Sequence, residues 1–164
     1  MTSRRALVIV DLQRGFINEH TKHLISPIEA FQNQFEHSIA TRFYHRPGST
    51  LCRLLGIEGF AKGSPETELA FRPKPGTHVI EKPTYSCVTS DFLALLRSRE
   101  LREATLCGVD TDQCVLIIAA ELLQHDIVPI VRADLTASAA GPDYTESGLF
   151  LLRRLIGKEQ VVLS

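Results

Sequence analysis

The sequence contains no run of five or more lysines and arginines. Its 18 basic residues are offset by 19 acidic ones, for a net charge of −1. Binding that tracks nucleic-acid phosphates therefore has little electrostatic basis, and no nucleic-acid partner is expected. Long hydrophobic runs are also missing: the longest apolar stretches, residues 6–10 and 115–120, fall far short of the roughly 20 residues that cross a bilayer. No membrane partner is expected. Asp11 follows Arg4 and Arg5 so closely that a secretory apolar region with a small-residue cleavage site has no room, which makes the cytoplasm the expected location. The four cysteines, Cys52, Cys87, Cys107 and Cys114, form neither a C-x-x-C pair nor a zinc-ribbon pattern and read as free thiols in a reducing compartment. Repeats and low-complexity tracts are absent. With 44% apolar and 23% charged residues, the composition is that of an ordinary folded chain, read as a single domain over residues 1–164.

Short apolar runs at 6–10, 77–80, 104–107, 127–131 and 160–163, with a more polar candidate at 37–43, read as strands covered on both faces. Between them, apolar residues recur at three- and four-residue spacing over 27–35, 89–99, 111–124 and 145–156, the period of amphipathic helices. This β-α-β-α alternation predicts an α/β fold, a three-layer α-β-α sandwich around a mostly parallel six-stranded sheet. In such sheets ligands sit beyond the carboxyl ends of the strands. Residues 47–76 break the pattern, holding half of the chain's eight prolines and ten glycines. They read as a long excursion with one short helix at 51–55, of the kind that serves as a lid or binding wall.

The strand exits carry an acid, an amine and a thiol. Asp11 ends the first apolar run, placed to act as a general base. Lys82 follows the run at 77–80 and precedes Pro83, which holds it extended. Gly108-Val-Asp-Thr-Asp-Gln leads into Cys114 and a helix with an almost wholly apolar body. With Thr111 as N-cap, Cys114 would lie in the first helical turn, where free N–H groups and the helix dipole lower a thiol's pKa. The same N–H groups, near Asp110 and Cys114, could hold an oxyanion. Together the three side chains predict a thiolate attack on a carbonyl carbon, with Asp11 moving the proton, Lys82 holding acid and thiol in register, and no cofactor required. Gln13, Phe16, Phe43 and Tyr85 are the candidate contacts to a small, flat substrate. Structural roles compete at each position: a turn cap for Asp11, a solvated strand end for Lys82, core packing for Phe16 and Phe43.

Three segments in this order, residues 6–16 (ALVIVDLQRGF), 81–86 (EKPTYS) and 108–115 (GVDTDQCV), resemble the isochorismatase-like cysteine hydrolases, which include nicotinamidases and N-carbamoylsarcosine amidase. The resemblance covers nearly the whole chain. It implies catalytic roles for Asp11, Lys82 and Cys114, strand order 3-2-1-4-5-6, a non-proline cis peptide between Val109 and Asp110, and a homo-oligomer, at least a dimer. It implies hydrolysis of a C–N bond in a small amide, ureide or carbamoyl compound through a thioester. Ether hydrolysis of the isochorismatase type, or a catalytically silent binding module, are the alternatives. The D-x-H metal motif of nicotinamidases is incomplete, since Phe43 stands where the Asp would be and only His45 remains. His20 and His23 have a spacing that can bind zinc but lack a neighbouring carboxylate, so no metal site is assigned.

Overall fold

The computed structural model describes residues 4–164; Met1, Thr2 and Ser3 lie outside the described residues. Its strands are β1 (Arg5–Val10), β2 (His37–Phe43), β3 (His78–Lys82), β4 (Glu103–Gly108), β5 (Val128–Thr136) and β6 (Val161–Val162). They pair in the order β3-β2-β1-β4-β5-β6, and every pairing is parallel. Helices α1 (Ile25–Phe31), α2 (Thr50–Leu55), α3 (Ser90–Ser98), α4 (Leu116–Gln124) and α5 (Pro142–Leu155) lie between the strands in sequence. The expected architecture and strand order are both present.

The central strand β1 shows why its sequence is apolar without alternation. Ala6, Val8 and Val10 point into a cluster with Phe92 and Leu96 of α3, Ile118 and Leu122 of α4 and Leu152 of α5. Leu7 and Ile9 point into the opposite cluster with Ile28 and Phe31 of α1 and with Phe35. A strand covered on both faces needs apolar side chains at every position, and each fully buried Leu, Ile or Val there contributes about 1.5–3 kcal/mol. No helix among the described residues is long and apolar enough to cross a membrane.

Element ends differ from the sequence reading for local reasons. β5 runs five residues beyond 131, because Arg132 and Asp134 interrupt the apolar run yet satisfy each other (Nε–Oδ1 2.8 Å, Nη2–Oδ2 2.6 Å) while Leu135 and Thr136 return to the interior. β3 continues through Glu81 to Lys82, with Glu81 held by Arg42 (3.0 Å) and Lys62 (2.9 Å). The helix expected over 111–124 is split into a wide turn at Thr111–Val115 and α4. α5 starts at Pro142, directly after Gly141, where proline's fixed φ and missing N–H fit the first helical turn.

The excursion at 47–76 is firmly tied. α2 is capped by Ser49 Oγ, which accepts from the Cys52 N–H, and ends at Gly56 with φ 63°. Backbone bonds fix the rest: Arg14 N–H to Glu68 O (2.8 Å), Ala70 N–H to Leu12 O (2.8 Å) and His45 N–H to Phe60 O (2.7 Å). This brings Phe60 back to the carboxyl edge of the sheet.

α5 packs its buried Gly148 directly on the turn before α4. A Cβ at 148 would stand 2.8 Å from Asp112 N and 2.9 Å from both Asp112 Cα and Thr111 C. Alanine in a helix interior is ordinarily better than glycine by up to about 1 kcal/mol. Here the obstacle is backbone, and Gly148→Ala is expected to destabilise by about 1–3 kcal/mol. Denaturant unfolding with an unchanged m-value would register the loss; a gain in stability would contradict this packing.

Candidate active site

Strand order reverses between β1 and β4, the place where open parallel sheets form a crevice at their carboxyl ends. Asp11 leaves β1 with φ 45°, a left-handed conformation uncommon outside glycine. Its side chain turns into the protein and is only 1% exposed. Gly108, at the end of β4, has φ 107°, and a Cβ there would meet Val10 O at 2.1 Å. Only glycine lets β4 press against the end of β1 and deliver the following segment beside Asp11. The Val109–Asp110 peptide bond is cis.

Lys82 reaches Asp11 from β3, two strands away in the sheet. Its Nζ lies 2.6 Å from Asp11 Oδ2, 3.0 Å from Thr84 O and 3.5 Å from Cys114 Sγ. An ammonium has three protons to donate, so each has a partner. Asp11 and Lys82 are 1% and 3% exposed at their side chains, a buried ion pair. Burial would lower the Lys82 pKa, but the Asp11 carboxylate, Cys114 and the hydrogen bond to Asp11 outweigh it, and the ammonium is held above its ordinary range. Thr41 of β2 completes the cradle: its hydroxyl donates to Asp11 Oδ1 (2.7 Å) and accepts from the Asp11 N–H (3.0 Å). Asp11 is thus fixed through backbone and carboxylate by one neighbouring side chain.

Cys114 corrects the sequence reading on protonation. Thr111 does not cap: Thr136 gives its proton to Gly108 O (2.9 Å), so the Thr111 hydroxyl donates to Thr136 Oγ1 (2.8 Å). The residue before the turn is Asp110, whose carbonyl accepts from both Gln113 N–H and Val115 N–H (3.1 Å each). This wide turn sinks Cys114 until it is 8% exposed. Burial first, then the Asp11 charge, drives the thiol pKa well above its ordinary value, with Lys82 pulling the other way and a hydrogen bond to Asp11 adding to the rise. The surroundings of Cys114 thus favour the thiol over the thiolate, next to the buried Asp11–Lys82 pair. Dipole stabilisation at a helix start is modest and local, and desolvation exceeds it here.

Asp110 is a second acid at this edge. Its Oδ1 accepts from Ala139 N–H (2.7 Å), which draws the 137–140 segment toward the turn. Burial pushes its pKa up to about 6; the Ala139 bond opposes the rise, and Asp112 and Asp11 add to it. A carboxyl that keeps its proton longer in the folded chain than in the unfolded one weakens the fold as pH rises from about 4 through 6. Asp110→Asn keeps the acceptor and removes the charge. It is expected to raise stability near pH 7 by about 1–3 kcal/mol and to flatten the stability profile between pH 4 and 6. Unfolding curves across that range would check it; a variant less stable than the parent at pH 7 would contradict it.

The four candidate substrate contacts fall in different settings. Gln13 is fully buried, and its amide is engaged by backbone: Nε2 donates to Phe43 O (2.9 Å) and Thr67 O (3.1 Å), and Oε1 accepts from Phe43 N–H (2.7 Å). It joins the β1 exit to β2 and to the excursion. Phe43 is 5% exposed, with its ring centroid 5.8 Å from Lys82 Nζ. Phe16 and Tyr85 are partly buried, and the Tyr85 hydroxyl pKa is raised by burial and by Cys114 and Asp112. Phe60, which the sequence reading did not single out, joins Phe16 (4.5 Å between centroids) and Phe43 (5.7 Å) in an aromatic wall. Its φ of 61° is rare for a bulky residue, and Glu66 Oε2 holds it by accepting from the Phe60 N–H (3.1 Å). Thr41 and Phe60 both lacked a legible signal, one being a strand threonine and the other an isolated aromatic in irregular chain.

The residues present do not fit the metal site that a D-x-H motif would supply. Phe43 offers a buried ring in place of a carboxylate, and among the described residues no three His, Cys, Asp or Glu side chains gather closely enough to hold an ion. His23 is exposed on a surface turn; His20 is half-buried and, against the sequence reading, does have a carboxylate neighbour in Glu19 (3.7 Å), but these two side chains gather no third ligand.

Sheet order and the acid, amine and thiol gathered at the switch point define an isochorismatase-like α/β protein. Residues 5–157 match the model of the isochorismatase domain, and the chain belongs to that family. Ureidoacrylate amidohydrolase RutB of Pseudomonas savastanoi pv. phaseolicola is 33% identical over 107 residues, which are 62% of this chain and 43% of that relative's length. The chain thus spans less than half of this curated relative. Among solved structures, nicotinamidase PncA from Bacillus subtilis superposes with a TM-score of 0.83 at 22% identity, covering 98% of this chain and 99% of that one. N-carbamoylsarcosine amidase from Thermoplasma acidophilum does so with a TM-score of 0.77 at 26% identity, covering 93% of each.

Proposed function

We propose that the protein is a cysteine-dependent hydrolase that cleaves the C–N bond of a small amide, ureide or carbamoyl compound through a thioester on Cys114. The observation that carries this reading is the buried contact set in which Lys82 Nζ bridges Asp11 Oδ2 (2.6 Å) and Cys114 Sγ (3.5 Å). RutB, nicotinamidase and N-carbamoylsarcosine amidase, named above as relatives, all carry names of C–N hydrolases.

In this mechanism Asp11 takes the thiol proton as the sulfur attacks the carbonyl carbon. The high thiol pKa keeps the proton in place until that step, and Lys82 offsets the negative charge that passes between carboxylate and sulfur. Backbone N–H groups of Asp110 and Cys114 receive the oxyanion. Asp11 returns the proton to the leaving nitrogen, releasing ammonia or an amine; water, deprotonated by Asp11, then hydrolyses the thioester and regenerates the thiol. Phe16, Phe43 and Phe60, with ring centroids 4.5–6.4 Å apart, form an apolar wall for a flat substrate that Gln13 shapes from behind, and Tyr85 is a separate candidate contact.

Ammonia release measured across small amides, ureides and carbamoyl compounds tests the reaction class. Turnover of at least one is expected. Cleavage of isochorismate with no nitrogen released from any of the panel would contradict the proposal in favour of ether hydrolysis.

A further inference from the structure

Lys82 owes only part of its place to Asp11. Of the three partners of its Nζ, the Thr84 carbonyl (3.0 Å) belongs to the loop that joins β3 to α3, and that loop is fastened to the helix that follows Cys114. The Thr84 hydroxyl donates to Ser86 O (3.3 Å), and the Val88 N–H donates to Ser86 Oγ (3.0 Å). The Ser86 hydroxyl in turn donates to the Glu121 carboxylate on α4. Glu121 stands seven residues after Cys114, about two helical turns further along. The contacts close a ring: Cys114 Sγ to Lys82 Nζ, Lys82 Nζ to Thr84 O, along the loop to Ser86, across to Glu121, and back through the helix to Cys114.

We propose that Ser86 and Glu121 are positioning residues, which hold the 83–88 loop against α4 so that Thr84 O keeps the Lys82 ammonium turned toward Cys114 Sγ. A lysine carries its charge on a flexible four-carbon stem, and one carboxylate fixes the reach of that stem but not the direction of the two remaining protons. Thr84 O supplies the second fixed point. Seating α3 does not account for the Ser86–Glu121 bond, because Thr89 already caps that helix by accepting from the Phe92 N–H (3.2 Å). Both partners are partly buried, where a hydrogen bond to a carboxylate is stronger than in open water. The consequence for turnover rests on the proposed hydrolysis at Cys114; the consequence for the thiol does not. Lys82 pulls the Cys114 pKa down against burial and the Asp11 charge, so a loosened ammonium leaves less thiolate.

Alkylation of Cys114 by iodoacetamide at about pH 8, read by peptide mass spectrometry on the intact chain, reports that thiolate without any substrate. Ser86→Ala and Glu121→Ala are each expected to slow it about tenfold, and the double variant no further, because each breaks the same link. Glu121→Gln keeps an acceptor for the Ser86 hydroxyl without the charge, and is expected to label within about twofold of the parent. In ammonia release, the alanine variants are expected to lose about tenfold in kcat with KM little changed. Far-UV circular dichroism is expected to stay the same, alanine being favoured in a helix interior. Labelling of Ser86→Ala at the parent's rate or faster would overturn the proposal. So would a Glu121→Gln variant that behaves as Glu121→Ala does, which would assign the effect to the carboxylate's charge. Slower labelling with unaltered ammonia release would uphold the placement of Lys82 and count against the mechanism through Cys114.

Discussion

Replacing Cys114 by alanine is expected to remove at least about four orders of magnitude of turnover, because the proposed reaction has no other atom to carry the acyl group. The fold should survive the change. Cys114 is a small side chain at the edge of a large cluster with Ile118, Val115 and Phe92, and losing one sulfur from such a site costs about 1 kcal/mol. Removing the thiol also removes a group that the surrounding burial keeps neutral, so no buried charge is left unpaired. Cys114→Ser separates nucleophilicity from geometry. A serine hydroxyl fills the same place, but its proton is held far more tightly than a thiol's, and Asp11 is too weak a base to take it. Full activity in the alanine variant would remove Cys114 from the mechanism.

The second large effect falls on stability and activity together. Lys82→Met is expected to destabilise the chain by about 3–5 kcal/mol, since it leaves the Asp11 carboxylate buried with no counter-charge. For a domain of this size that corresponds to a fall of about 10 °C in Tm. The ion pair itself is weak evidence of net stabilisation, because two charges have been taken out of water; the loss arises from breaking it on one side. Asp11→Asn together with Lys82→Met removes both charges. The double variant is expected to recover much of the lost Tm and none of the turnover. The Lys82 pKa is raised in the folded chain, so its contribution holds through neutral pH and is lost as pH rises past the ordinary lysine range. A Lys82→Met protein as stable as the parent would mean that water reaches Asp11 and that the site is open.

Much of this arrangement is legible in the chain itself, for a reason that concerns parallel sheets. When strands are covered on both faces, a polar residue at the end of an apolar run has to emerge at the carboxyl edge, and every right-handed crossover returns the next strand to the same edge. Asp11 and Cys114 are separated by 103 positions yet flank one switch point, and Lys82 reaches them across β2. The thiol's protonation state was not legible in this way. It depends on how deep the turn at Thr111–Val115 sinks, which is set by Gly108 against Val10 and Gly148 against Asp112, and not by the Thr111 capping suggested by residue type. Thr41 has the same character: strand threonines are common, and only the register of β1 with β2 brings its hydroxyl to Asp11. Gln13 gives no sign in sequence that three backbone groups occupy its amide. The length of β5 was hidden because Arg132 and Asp134 neutralise each other on a strand that otherwise would read as ended.

The most direct test of the proposed chemistry is to acid-quench the protein during turnover of a substrate found by ammonia release, and to read the mass of the intact chain and of its peptides. The account predicts an added acyl mass on the peptide that contains Cys114, absent in Cys114→Ala and discharged by hydroxylamine. Rapid turnover with no adduct on any cysteine, or an adduct on Cys52, Cys87 or Cys107 in its place, would contradict it.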